Sequence, residues 1–128
     1  MLSLSIGQVA ERAGIAASAI RYYEAEGLLP RAERRSGRRV YDESVVERLA
    51  IIQLAKAAGF TVAEVKRLLG GFARRTPPGE RWRTMAERKL VELDERIAEA
   101  ERMKRLLRVV TRCECPSFTD CSRAISKG

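Results

Sequence analysis

A mainly α-helical chain with one small β-hairpin is what this sequence predicts, and three observations carry the prediction. Ser5-Ile6-Gly7-Gln8 and Thr61-Val62-Ala63-Glu64 are capping boxes, in which a hydroxyl takes the amide three residues on and the longer side chain reaches back. Residues 80 to 111 contain neither Gly nor Pro and place apolar residues at alternating three- and four-residue spacing. Between these stretches, LLPRAERRSGRRVYD carries Pro30 to block helix and a Ser36-Gly37 turn whose flanks can pair as a hairpin.

Each element follows in order. The first capping box starts a short helix with Ile6, Val9 and Ala10 facing inward, ended by Gly14. AASAIRYYEAEG forms a second short helix ending near Gly27, with Ile15, Ala19, Ile20 and Tyr23 as core. Two short helices about a tight Gly-containing turn make a helix-turn-helix. After the hairpin, Asp42 is expected to cap ESVVERLAIIQLAKAAG, with Val45, Val46, Leu49, Ile52, Leu54 and Ala55 mostly core. The second capping box opens a fourth helix through Leu69. GGFARRTPPGE is then a hinge that no helix crosses intact.

Composition excludes several functions. The 128 residues carry 25 Lys and Arg against 17 Asp and Glu, a formal charge of +8. Five of the arginines crowd into RAERRSGRR around a single Glu, so the excess is local and points to a polyanion, because each neutralised phosphate releases counterions. The chain has no histidine, which rules out a Cys2His2 finger, a Ser-His-Asp triad and a Cys-His nucleophile pair. With no Gly-rich phosphate loop either, no enzymatic activity is expected. No apolar run approaches the roughly 20 residues of a membrane span, and the N-terminus lacks a signal-peptide layout, so the expected location is the cytoplasm.

IGQVAERAGIAASAIRYYEAEGLLP, then the basic hairpin with RRVY, then AIIQLAKAAGFTVAEVKRLL, together resemble the DNA-binding domain of the MerR family of transcriptional regulators, from Ile6 to Leu69. The resemblance implies a winged helix-turn-helix in which the hairpin is the wing. It further implies a homodimer on a palindromic, double-stranded promoter element, which it distorts so that RNA polymerase can use it. On the family pattern, Arg21 and Tyr22 lie on the exposed side of the recognition helix, with Ala17 and Ser18 nearest the groove floor. Arg39 and Tyr41 match the Arg-x-Tyr pattern of the wing, and Arg38 adds charge. Tyr23 is read as core, while Arg31, Arg34 and Arg35 supply general attraction.

Beyond the hinge, Leu90, Leu93, Ile97, Ala100 and Leu107 form a heptad seam interrupted by Lys104, on a helix of roughly 45 Å. One helix cannot bury such a stripe alone. The resemblance favours an antiparallel coiled coil between two subunits, and this dimer helix sets the chain apart from an effector-free DNA-binding accessory factor. The expected organisation is therefore a DNA-binding domain over 1–70, a hinge over 71–79, a dimerisation helix over 80–111, and a cysteine-containing effector loop and tail over 112–128.

All the cysteines, Cys113, Cys115 and Cys121, fall in RCECPSFTDC. In the family this position holds the effector site. Soft sulfur ligands suit a thiophilic ion, Cu(I), Zn, Cd, Pb or Hg, and the Cys-x7-Cys spacing resembles that of the family's monovalent copper sensors. Arg108 and Arg112 are expected to favour thiolate. The alternative is redox sensing: Cys113-Glu-Cys115-x5-Cys121 matches the last part of the four-cysteine [2Fe-2S] motif of the superoxide-responsive branch, with Trp82 near the cluster pocket. The first cysteine of that motif falls on Val110, which leaves one ligand missing. A reversible disulfide to Cys121 is a third possibility. The chain ends at Gly128, too short for an appended drug-binding domain, so a large organic effector is not expected.

Overall fold

The computed structural model describes residues 3–127, so the outermost residues of the expected first and last segments lie outside the described part. The chain divides into two compact units, 1–89 and 90–128.

The first unit opens with a strand that the sequence does not announce, β1 (Ser3–Ser5), which leads directly into α1 (Ile6–Ala13). The capping box at this junction is closed in both directions: the Gln8 amide donates to Ser5 Oγ at 3.2 Å, and the Ser5 amide to Gln8 Oε1 at 2.9 Å. Gly14 ends α1 with φ at +70°, where a side chain would be strained, and its N–H returns to the Ala10 carbonyl. Helix α2 (Ala17–Ala25) follows after this turn and completes the helix-turn-helix.

Strands β2 (Glu33–Arg35) and β3 (Arg38–Asp42) form the expected hairpin around Ser36 and Gly37, which have φ of 52° and 77°. Two successive left-handed residues give the primed turn whose twist matches paired strands. β3 sits centrally in the antiparallel order β1-β3-β2, with Leu4 opposite Tyr41 and Arg34 opposite Arg39.

Helix α3 (Ser44–Ala57) differs from expectation at both its start and its outer face. Asp42 is not its cap: it is the last residue of β3, its carboxylate accepts from Ser44 Oγ at 2.6 Å, and Glu43 precedes the helix without a side-chain cap. Leu54 is 61 % exposed. It stands about two and a half turns from Val45 and thus on the opposite side of the helix, whereas Val45, Leu49, Ile52 and Ala55 line the buried side. Helix α4 (Val62–Gly70) begins with the second capping box, and α5 (Pro78–Thr111) starts two residues earlier than expected, with Pro78 in its first turn.

The core gathers Leu4, Val9, Ile20, Leu28, Tyr41, Leu49, Ile52, Phe60, Val65 and Met85, so the first turns of α5 pack within this unit. Polar ties fix the helices there. Arg48 Nε donates to the Leu28 carbonyl at 2.7 Å and Gln53 Nε2 to the Ala13 carbonyl at 3.1 Å, holding α3 to the helix-turn-helix. Arg81 donates to the Leu69 carbonyl at 2.9 Å and the Thr76 carbonyl at 2.9 Å, satisfying the end of α4 from α5.

In the second unit, α5 runs on to Thr111 with Leu90, Val91, Ile97, Met103, Leu106 and Leu107 all exposed. Beyond Pro116 the sequence reading anticipates only loop and tail, but the chain forms α6 (Phe118–Lys127). The signal for it is Ser117-x-x-Asp120: the Asp120 amide donates to Ser117 Oγ at 3.2 Å, and that hydroxyl donates to Asp120 Oδ2 at 2.8 Å.

Candidate functional site

Two groups of residues carry chemistry, one in each unit. In the first, α2 presents Ser18, Arg21 and Tyr22 to solvent, with Ala17 half-buried at its first position. Tyr22 is 51 % exposed and meets the half-buried Tyr23 edge-on at 5.7 Å between ring centres, which separates the outward ring from the inward one as expected. No side chain caps the N-terminus of α2, so its end offers a positive dipole to an anion.

The wing concentrates charge. Arg34 lies directly opposite Arg39, and Arg35 opposite Arg38, across the β2–β3 pair. Like charges facing each other across strands destabilise a hairpin, and a bound phosphate backbone relieves that repulsion. Arg38 is exposed, while Arg39 is half-buried with a guanidinium nitrogen 3.7 Å from Glu24 Oε2. Tyr41 lies beside Arg39 but is not an open contact. Its side chain is buried in the core, on the same face of β3 as Arg39 and opposite Leu4 of β1, and its hydroxyl donates to Glu24 Oε2 at 3.1 Å. Burial, followed by the Glu24 carboxylate, raises the Tyr41 phenol above its ordinary value and keeps it protonated. Glu24 itself went unread in the sequence, where a single acid on a short helix looks like ordinary surface.

Trp82 belongs to the first unit, half-buried and 6.1 Å from the Phe60 ring between centres. Nearby, Lys89 is 5 % exposed, lies over the Phe60 ring and reaches Glu64 Oε1 at 2.8 Å.

In the second unit, the Sγ atoms of Cys113, Cys115 and Cys121 lie within 4.8 Å of one another. The end of α5 delivers the first, the Pro116 break turns the chain, and the cap at Ser117 sets α6 so that Cys121 faces back in its first turn. Cys113 is held below the usual thiol value, first by the Cys115 N–H and then by the Cys115 S–H, both donated to its sulfur. Arg108 and Arg112, which the sequence puts forward for this role, are not its cause. Cys115 is raised in turn, chiefly because its thiol donates to Cys113. Ionisation of one thiol is thus favoured and two other sulfurs stand within reach, a donor set that fits a soft cation. It supplies three of the four ligands that a [2Fe-2S] cluster takes, since Val110 is apolar and Asp120 Oδ2 accepts from Ser117 Oγ.

Comparison with known proteins decides the family. The model of the MerR HTH family regulatory proteins matches residues 4–71, and that described as "MerR, DNA binding" matches residues 46–110. The chain belongs to the MerR family. The HTH-type transcriptional regulator HmrR of Rhizobium leguminosarum bv. viciae is 32 % identical over 119 residues, covering 92 % of this chain and 92 % of that protein. The HTH-type transcriptional activator SoxR homolog of Chromobacterium violaceum is 31 % identical over 120 residues, covering 93 % of this chain and 81 % of that one. Among solved structures, PbrR691 from Ralstonia metallidurans CH34 in complex with lead(II) superposes with a TM-score of 0.75 at 28 % identity, covering 89 % of this chain and 90 % of that chain. This MerR-family chain is therefore a DNA-binding transcriptional regulator, from a family whose members regulate rather than catalyse. The second family match stops at residue 110, short of Cys113, so it does not reach the cysteines. Among the described residues no helix is long and apolar enough to cross a membrane.

Proposed function

We propose that this protein is a homodimeric MerR-family regulator that binds promoter DNA through α2 and the wing and responds to a thiophilic metal ion held by Cys113, Cys115 and Cys121. The observation that carries the reading is the convergence of three sulfurs within 4.8 Å, in a chain with no other cysteine. Lead(II) in the complex of the structural neighbour, and the likeness to the heavy metal-dependent transcription regulator 2 of Rhizobium meliloti, point the same way. Arg21, Tyr22, Ser18 and Ala17 face the major groove, while Arg38 and Arg39 take flanking phosphates. Tyr41 serves from beneath the wing. Ion capture draws the Cys113–Cys121 segment into one arrangement, and the dimer transmits that change to promoter geometry and so to RNA polymerase. The ion belongs to the soft class of Cu(I), Zn, Cd, Pb and Hg.

Redox sensing is the second reading, favoured by the Cys113-Glu-Cys115-x5-Cys121 spacing and its resemblance to the superoxide-responsive branch. The two separate on protein purified without oxygen, by elemental analysis and a visible spectrum. A colourless protein that takes up about one equivalent of a thiophilic ion per subunit, and loses it in Cys121→Ser, is expected. Iron with inorganic sulfide and visible bands would overturn the metal reading in favour of a cluster. Retained uptake in the Cys121→Ser variant would remove these cysteines as the site.

A further inference from the structure

From the recognition helix, Glu24 reaches the wing through three separate partners. Its Oε1 accepts the backbone N–H of Ala32, just before β2, at 2.7 Å. Its Oε2 accepts the Tyr41 hydroxyl from β3 at 3.1 Å and stands 3.7 Å from the Arg39 guanidinium. The Glu24 side chain is 11 % exposed, so the pairing operates at reduced dielectric, and the Arg39 side chain is 34 % exposed, so it is not sealed from solvent. An acid placed inside a DNA-facing basic surface opposes phosphate binding unless it organises a cation that makes the contact.

We propose that Glu24 is a positioning residue that locks the wing to the recognition helix and aims Arg39 at the DNA backbone, so that helix and wing engage DNA as one rigid body. The inference rests on the DNA-binding reading above and extends it to a residue that does not itself touch DNA. The geometry divides the work between two oxygens. Oε1 holds the chain entering β2, and Oε2 sets the angle of Arg39 with Tyr41 as a fixed stop behind it. A free wing arginine would lose rotamer entropy on binding, and this one has already lost it.

The test is a double-mutant cycle on the full chain, using a duplex that the protein itself recovers from a randomised pool, with affinity read by fluorescence anisotropy and folding by melting temperature. Glu24→Ala and Arg39→Ala should each weaken binding about ten-fold, and the double variant should be no weaker than either. Glu24→Gln retains an oxygen for the Ala32 N–H and loses only the charged acceptor of Tyr41 and Arg39, so its melting temperature should fall less than that of Glu24→Ala while it binds like Arg39→Ala. Losses that multiply to about a hundred-fold in the double variant, or a Glu24→Gln protein that binds like the parent, would overturn the proposal. A parent chain that recovers no duplex from the pool would instead sink the DNA-binding reading beneath it.

Discussion

Glu64 shows how one side chain can serve two structures at once. It closes the α4 capping box by accepting the Thr61 amide at 2.9 Å, and the same oxygen receives Lys89 Nζ at 2.8 Å from α5. The lysine, and after it the Thr61 amide, hold the Glu64 carboxyl below its ordinary value. A carboxylate depressed in the folded state binds its proton less readily than in the unfolded chain. Its stabilisation is therefore complete above the unfolded value and is lost as pH falls through the folded one. Thermal melts taken downward from pH 6 should show the parent losing stability in the acid range, with that component absent from Glu64→Gln. An identical acid profile in the variant would show that the pair does not contribute. Lys89 also marks a limit of sequence reading: it lies in register with Trp82 and Met85 on the buried side of α5, yet a lysine reads as solvent-facing until its carboxylate partner is seen in space.

At the scale of elements, the helices with local signals were legible and those built by distant contacts were not. Ser5-Gln8, Thr61-Glu64 and Ser36-Gly37 each encode their own geometry, and all three structures form where expected. Strand β1 carries no such signal, because three residues become a strand only once β3 is beside them. Leu54 was misplaced because an apolar residue on a helix says nothing of which side its neighbours will cover. Helix α6 is encoded in Ser117-x-x-Asp120, a weaker signal than the two capping boxes because Asp is shorter than Glu or Gln. Its ten residues are few for a helix in water, and Phe118 is 93 % exposed, so the cap matters more than usual. Ser117→Ala should cost about 1 kcal/mol of helix stability and weaken ion uptake in step, because Cys121 lies in the first turn of α6. Circular dichroism and a competitive ion titration measure both, and unchanged affinity would separate the helix from the site.

The whole molecule joins a basic, well-packed unit to a long helix whose apolar stripe is uncovered in a single chain. Leu90, Ile97 and Leu107 are each more than half exposed, which supports a second copy as their partner. Light scattering should give a dimer for the parent and a monomer for Ile97→Glu, with DNA affinity falling as the two half-sites are read separately; a monomeric parent would refute the assignment. What the sequence could not supply at this scale is the division after Lys89, since it depends on how α5 packs against α4 and Phe60. The three cysteines lie on the far side of that division in the chain, all between residues 113 and 121. In terms of inheritance, the metal response proposed above would be written in one short run of neighbouring codons. A single small recombination can retune what the regulator answers to while every gene it controls, and every base it reads, stays the same.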